Sequence, residues 1–200
     1  VEKPDGYTFV PGQATEVAIN KPEWKNEKRP FTFTSLNEWP YLEFTIKGYP
    51  SHKGVTDALH KLSAGDELLL HDVWGAISYK GEGVFVAGGA GITPFIAIFR
   101  QLYKDNKIEG NKLIFSNKTS SDIILKDEFE KMLGNNFIKV LTEESVPGIY
   151  NKRIDKQYLK DTIKNFNQHF YVCGPEKFTE AITNDLVELG ADVQEVVIEK

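Results

Sequence analysis

The chain has 200 residues, 40% of them apolar and 26% charged, enough to bury one large core or two small ones. A net charge of -5 argues against nucleic-acid partners, which need a basic field to release phosphate counterions, and no apolar run nears the roughly 18 residues of a membrane span. A single cysteine, Cys173, excludes an internal disulfide and a cysteine-ligated iron–sulfur or zinc site within these residues; with no signal peptide at the start, a reducing cytoplasm is expected.

From Thr8 to Lys80 the apolar residues alternate in short runs, such as Leu42, Phe44 and Ile46 within Tyr41–Lys47, broken by Gly and Pro. Lys47-Gly48-Tyr49-Pro50 and Ala64-Gly65-Asp66 read as turns, with one short helix, Val55–Leu62, between them. This predicts an antiparallel β-barrel carrying a single helix. After Gly83 the pattern changes to buried strands alternating with amphipathic helices. Strand Val84–Ala87 precedes a helix whose Phe95, Ile98, Phe99 and Leu102 fall at i, i+3, i+4 and i+7. Strand Lys112–Phe115, a helix near Lys126–Met132 and strand Phe137–Leu141 follow. Then come a helix near Asp155–Asn165, strand His169–Cys173, a helix from Glu176 to Leu189 and strand Val193–Ile198. That is the βαβ grammar of a parallel sheet, so two domains are expected, 1–80 and 81–200, with the boundary near Tyr79–Gly83.

Four segments carry chemistry. Arg29-Pro30-Phe31-Thr32-Phe33-Thr34-Ser35 combines a guanidinium suited to pyrophosphate, aromatic faces for stacking and hydroxyls for a heteroaromatic ring, although an ordinary half-buried strand has the same alternation. His52-Lys53-Gly54-Val55-Thr56 opens the barrel helix and either holds a phosphate on its backbone N–H groups or simply starts a helix. Gly88-Gly89-Ala90-Gly91-Ile92-Thr93-Pro94 follows a strand directly: glycines allow a tight turn and close approach, Thr93 can cap the next helix and Pro94 suits its first turn. Such a turn either offers a helix N-terminus to phosphate or packs closely and binds nothing. Cys173-Gly174-Pro175 ends another parallel strand, so it and the glycine turn are expected to face one crevice; a lone cysteine is otherwise a small buried hydrophobe. The four histidines show no metal-ligand spacing, and no metal site is expected.

In this order the four segments resemble the ferredoxin–NADP reductase superfamily over nearly the whole chain. The resemblance implies a six-stranded barrel for FAD, less often FMN, followed by a Rossmann-like domain for NADH or NADPH. It also implies that Arg29 pairs with the flavin pyrophosphate, beside Pro30, that Phe31 packs on the isoalloxazine and that Thr32 bonds near its reactive N5. Members commonly carry Tyr and Ser where this chain has Phe31 and Thr32, so stacking survives while a phenol hydrogen bond is lost. Thr45, Ile46 and Lys47 would meet the flavin, and Lys53, Gly54, Val55 and Thr56 its phosphates. Gly89, Gly91 and Thr93 would border the nicotinamide nucleotide, and Cys173, Gly174 and Pro175 would line the place where nicotinamide C4 approaches N5. Members usually have a further strand before Val1–Phe9 and end in a Glu-x-aromatic segment beside the flavin, whose beginning Glu199 and Lys200 fit. Thr32, Cys173 and Glu199 are thus the catalytic candidates. In the loop after Lys112–Phe115, Ser116-Asn117-Lys118 stands where the adenosine ribose is expected; an acidic residue there would favour the diol of NADH, whereas Ser116 and Lys118 offer a hydroxyl and a cation to a 2′-phosphate, a slight lean towards NADPH, unless Lys118 is merely an exposed loop lysine.

Three functions fit. The first is an NAD(P)H-dependent flavin reductase serving flavodoxin, ferredoxin or a small acceptor such as a metal chelate. The second is the reductase component of a multicomponent oxygenase, and the third a regulatory subunit that keeps the fold without turnover. The acceptor and the oligomeric state carry no motif.

Overall fold

The computed structural model describes residues 1–48, 54–192 and, for the backbone, 196–198. In the first half, β1 (Ala14–Ile19) is the central strand of an antiparallel sheet, flanked by β2 (Arg29–Thr32) and β3 (Leu68–Trp74). The β1–β3 register shifts between Thr15 and Val17, and buried Thr15 satisfies the backbone there. Its hydroxyl donates to the His71 carbonyl at 2.8 Å and accepts from the His71 N–H at 3.2 Å, as a bulge requires of a side chain when ladder bonds are lost. The small core beneath is Phe9, Phe33 and Leu42, with Phe33 stacked on Phe9 at 4.2 Å between centroids.

The segment Tyr41–Lys47, expected as a strand, makes only isolated bridges, Tyr41 to Glu2 and Phe44 to Phe33. The hydroxyl of Ser35 takes the Glu43 N–H at 3.1 Å in place of a strand carbonyl, which interrupts the ladder. The described residues therefore pair as a three-stranded sheet with added bridges, in place of the six strands that the resemblance implies. The helix α1 (Val55–Leu59) forms where expected and stops short of Leu62.

The connection into the second half is pinned by Tyr171. Its hydroxyl accepts from the N–H groups of Lys80 and Gly81 at 2.8 and 3.0 Å and donates to the Gly81 carbonyl at 2.8 Å. Beyond it lies a five-stranded parallel sheet in the order β6-β5-β4-β7-β8. Its strands are β4 (Gly83–Gly88), β5 (Lys112–Asn117), β6 (Phe137–Leu141), β7 (His169–Cys173) and β8 (Val196–Ile198). The helices are α2 (Thr93–Lys104), α3 (Lys126–Leu133), α4 (Lys156–Thr162) and α5 (Glu176–Glu188).

Strand alternation sends Phe85, Ala87, Leu113, Phe115 and Tyr171 into one core with α2 and α3. It sends Val84, Val86, Ile114, Phe170 and Val172 into a second core with α4 and α5. Strand β4 is buried along its whole length, as the central strand of a sheet covered on both faces must be. Each fully buried Phe or Ile in these layers contributes roughly 1.5–3 kcal/mol. The chain leaves β4 towards β5 and β6, then crosses to β7 on the other side, so the topology reverses between β4 and β7. Open α/β sheets bind ligands in the crevice at such a reversal. No helix among the described residues is long and apolar enough to cross a membrane.

Candidate functional site

At the carboxyl end of β4 the chain enters a single 3-10 turn, Gly89–Ile92, and then α2. Gly89 has a φ of 54°, a conformation that suits glycine. Gly91 is required by proximity: a Cβ there would stand 2.3 Å from the Cys173 carbonyl oxygen and 2.5 Å from the Gly174 nitrogen. The two glycine-bearing loops, expected to share a crevice, thus touch through backbone. Thr93 does not cap α2. Ile92 holds the N-cap position, and the Thr93 hydroxyl donates back to the Ala90 carbonyl at 3.1 Å because the 3-10 turn already leads into the helix. Pro94 sits in the first turn as anticipated.

Two cavities open along this edge. The larger, of about 520 Å³, is lined by Gly88–Gly91 on the β4 side, Ser116, Asn117 and Lys118 after β5, Thr142 after β6, and Cys173, Gly174, Pro175 and Phe178 after β7. The smaller, of about 350 Å³, is lined by Pro30, Phe31 and Thr32 of β2, by Thr45, Ile46 and Lys47, by Ala14, Thr56 and Trp74, and by Ala90 and Thr93. Lys47 and Ala90 line both cavities, so the two spaces are neighbours across these residues.

Most residues singled out in the sequence line one of these spaces, and a few do not. Arg29 is exposed at the rim, its guanidinium donating to the Lys28 carbonyl at 2.7 Å and 3.5 Å from Glu27. Val55 is buried in the barrel and Gly54 precedes α1; neither lines the cavity. Lys53 and Glu199 lie outside the described residues. Cys173 is 4% exposed, so it meets the larger cavity over a small area.

The electrostatics refine the picture. Lys118, read as a cation for a 2′-phosphate, is bonded to Glu143 at 2.9 Å, which raises its pKa. Glu144 accepts from the Ser120 N–H, which lowers its own. Glu143 thus accompanies the lysine that lines that end of the cavity, without lining it itself. Lys47 reaches Asp122 at 3.4 Å; the Thr119 hydroxyl, bonded to Asp122 at 2.8 Å, is the leading cause of that carboxyl's lowered pKa. Thr119 and Asp122 form a reciprocal capping box over the following turn.

Sequence reasoning missed Trp74, Thr142 and Phe178, which line the cavities, and Arg100, which ties the halves together. Arg100 lies seven residues after Thr93, hence on the same face of α2, where Ile96 and Ala97 precede it and Lys104 follows. Trp74, 40% exposed at the end of β3, carried no sequence signal. No cluster of His, Cys, Asp and Glu among the described residues has the geometry of a metal site.

A parallel sheet whose reversal point carries two glycine loops over a cavity, joined to a barrel with a second cavity, defines a two-domain dinucleotide-binding architecture. Residues 85–184 match the profile of the oxidoreductase NAD-binding domain, half of the chain, and the chain belongs to that family, within the ferredoxin–NADP reductase superfamily. It is 27% identical over 205 residues to NADH-cytochrome b5 reductase 2 of Mycosarcoma maydis, covering 91% of this chain and 58% of that protein. It is 26% identical over 215 residues to the reductase component of propane 2-monooxygenase of Rhodococcus jostii, covering 99% of this chain and 57% of that protein. The chain thus spans little more than half the length of the curated relatives it matches. Among solved structures, the flavohem-like FAD/NAD binding domain of nitric oxide dioxygenase from Vibrio cholerae superposes with a TM-score of 0.84 at 18% identity, covering 96% of this chain and 85% of that one. A ferredoxin NADP+ reductase from Neisseria gonorrhoeae with bound FAD and NADP gives 0.80 at 19%, covering 99% and 89%. These two likenesses speak to the fold.

Proposed function

We propose that this chain is the flavin- and nicotinamide-binding unit of an NADH-dependent reductase, with residues 1–80 holding FAD and 81–200 holding the dinucleotide. The observation that carries the reading is that Lys47 and Ala90 border both cavities, which sets a group bound in one beside a group bound in the other. Bound there, FAD would supply the chemistry that couples a two-electron hydride donor to a one-electron acceptor.

The chain's own residues bind, orient and exclude water. Phe31 and Trp74 offer apolar faces to a flat ring system, and the hydroxyls of Thr32 and Thr45 offer hydrogen bonds to its heteroatoms. Gly89 and Gly91 let the backbone approach the pyrophosphate, at the start of a 12-residue helix whose N-terminal dipole favours it. Cys173, Gly174 and Pro175, held against Gly91, border the nicotinamide, where a small side chain permits ring-on-ring approach. Rate then comes from alignment, and no acid–base pair is demanded.

The carboxylate of Glu143, paired with Lys118 at the surface, would stand close to a 2′-phosphate held there and so favours NADH, and a relative named for NADH supports the same preference. The acceptor we infer is a one-electron carrier: a small redox protein, as in the cytochrome b5 reductases, or an oxygenase partner, as the propane monooxygenase relative suggests. The test is reconstitution with FAD followed by steady-state reduction of ferricyanide with NADH. Turnover supports the reductase; flavin retained through gel filtration without turnover contradicts it and favours the non-catalytic reading.

A further inference from the structure

The antiparallel bridge between Phe33 and Phe44 sets Thr34 opposite Glu43 and Thr32 opposite Thr45. Phe33 and Phe44 turn into the barrel core, which leaves the polar side chains on the other face. That face runs from the smaller cavity, lined by Thr32 and Thr45, to Arg100 of α2. Along it three hydrogen bonds follow one another. Arg100 donates to Glu43 Oε1 at 2.5 Å, the Thr34 hydroxyl donates to the same oxygen at 2.8 Å, and the Thr45 hydroxyl donates to the Thr34 hydroxyl oxygen at 3.2 Å.

The direction of this chain follows from its first member. A carboxylate only accepts, and a hydroxyl has one proton to give. Thr34 is fully buried and gives its proton to Glu43, so it meets Thr45 with lone pairs alone. Thr45 must then give its own proton to Thr34, and its oxygen keeps only lone pairs for the cavity. Reversing the chain would turn the Thr34 proton from a carboxylate to a hydroxyl, the weaker acceptor. Arg100 and Glu43 line neither of the two cavities, yet they decide what the wall at Thr45 offers.

We propose that Glu43, held by Arg100, is a positioning residue of the flavin site: through Thr34 it makes Thr45 an acceptor only, and so selects the ring edge that faces this wall. The oxidised isoalloxazine carries one ring N–H, on the imide nitrogen between its two carbonyls, while those carbonyls, N1 and N5 only accept. An acceptor-only hydroxyl is satisfied by the imide N–H and left unpaired by every other part of the ring. The inference rests on the reading of the smaller cavity as the flavin site and adds to it what fixes the orientation of the ring.

The experiment titrates FAD and 3-methyl-FAD, whose imide nitrogen carries a methyl group in place of the hydrogen, into the flavin-free protein by calorimetry. The proteins are the parent, Glu43→Leu, Thr34→Val and Thr34→Ser. The parent is to prefer FAD about tenfold. In Glu43→Leu and in Thr34→Val the preference is to fall to about threefold or less, although Thr45 is intact in both, because its proton is free to turn into the cavity. Thr34→Ser, which restores the hydroxyl, is to keep the parent's preference. A merely structural role for Glu43 would weaken both flavins by one factor and leave the preference as it was. That result in either variant, or equal affinity of the parent for the two flavins, overturns the proposal. A parent that binds neither flavin overturns the reading of the cavity itself. If Glu43→Leu does not fold, Thr34→Val, which leaves Arg100 its bonds to Glu43 and Glu128, carries the comparison.

Discussion

Arg100 of α2 donates to the main-chain carbonyl of Thr34 at 2.7 Å, joining the helix that leaves the glycine turn to the segment that follows β2 and its Thr32. The same guanidinium grips Glu128 of α3 with both arms, at 2.6 and 2.9 Å, meets Glu43 at 2.5 Å and lies over the Trp39 ring at 5.3 Å. Glu43 in turn accepts from the Thr34 hydroxyl at 2.8 Å, and that hydroxyl accepts from Thr45, which lines the smaller cavity. Burial by itself would lower the Arg100 pKa, but the bonds to Glu128 and Glu43 outweigh it and raise it.

Arg100→Gln leaves Glu43 and Glu128 without their shared cation. Because Arg100 is only 12% exposed while the carboxylates are partly solvated, the expected loss is about 2 kcal/mol, below that of a fully buried pair. A lowered urea midpoint with an unchanged slope checks it. An unchanged midpoint means the cluster is ornamental to stability. Misalignment of the cavities is also expected to slow flavin reduction more than it weakens nucleotide binding.

Coenzyme preference is expected to shift on changing Glu143. Glu143→Gln releases Lys118 for a 2′-phosphate, so affinity for NADPH should rise about tenfold while that for NADH changes little. Titration of both coenzymes against parent and variant decides this. Equal affinities for NADPH in the two proteins place the 2′ position elsewhere.

Gly91→Ala forces a Cβ into the backbone of Cys173 and Gly174, and backbone cannot yield as a side chain would. The loss should be about 1–3 kcal/mol, a melting shift on the order of 5 °C in a chain of this size. Dinucleotide affinity should fall with it. A variant as stable as the parent would mean that the two loops separate without cost.

Acid sensitivity follows from Asp122. Its folded pKa is lowered by Thr119, burial opposing, and further by Lys47, so its contribution is complete above the unfolded value of about 3.9 and is lost as pH falls through the folded value. Asp122→Asn should therefore be less stable than the parent at pH 7, with the difference closing under acid. Denaturant melts at pH 7 and near pH 3 check the sign; a gap that widens on acidification contradicts it.

The division of the sequence into a β half and a βαβ half was legible because the alternation of apolar residues changes period after Gly83, and buried β4 and α2 left an unbroken apolar signature. The glycine turn and Cys173-Gly174-Pro175 were legible for a related reason: parallel strands share one edge, so loops distant in sequence converge. Tyr41–Lys47 misled because its alternation was real while Ser35 took the Glu43 N–H that pairing needed. Glu143 was invisible as a site residue because its meaning depends on the lysine it pairs with. Trp74 reaches the smaller cavity through the register that sets it opposite Ala14 across the sheet, which no local pattern encodes.

The most direct test of the central claim is a single-turnover experiment without oxygen. The FAD-reconstituted protein is mixed with NADH and, separately, with NADPH, and the oxidised-flavin band near about 450 nm is followed. Rapid bleaching by NADH, with NADPH slower or requiring higher concentrations, is the predicted result. A bound flavin that neither coenzyme bleaches would contradict the account.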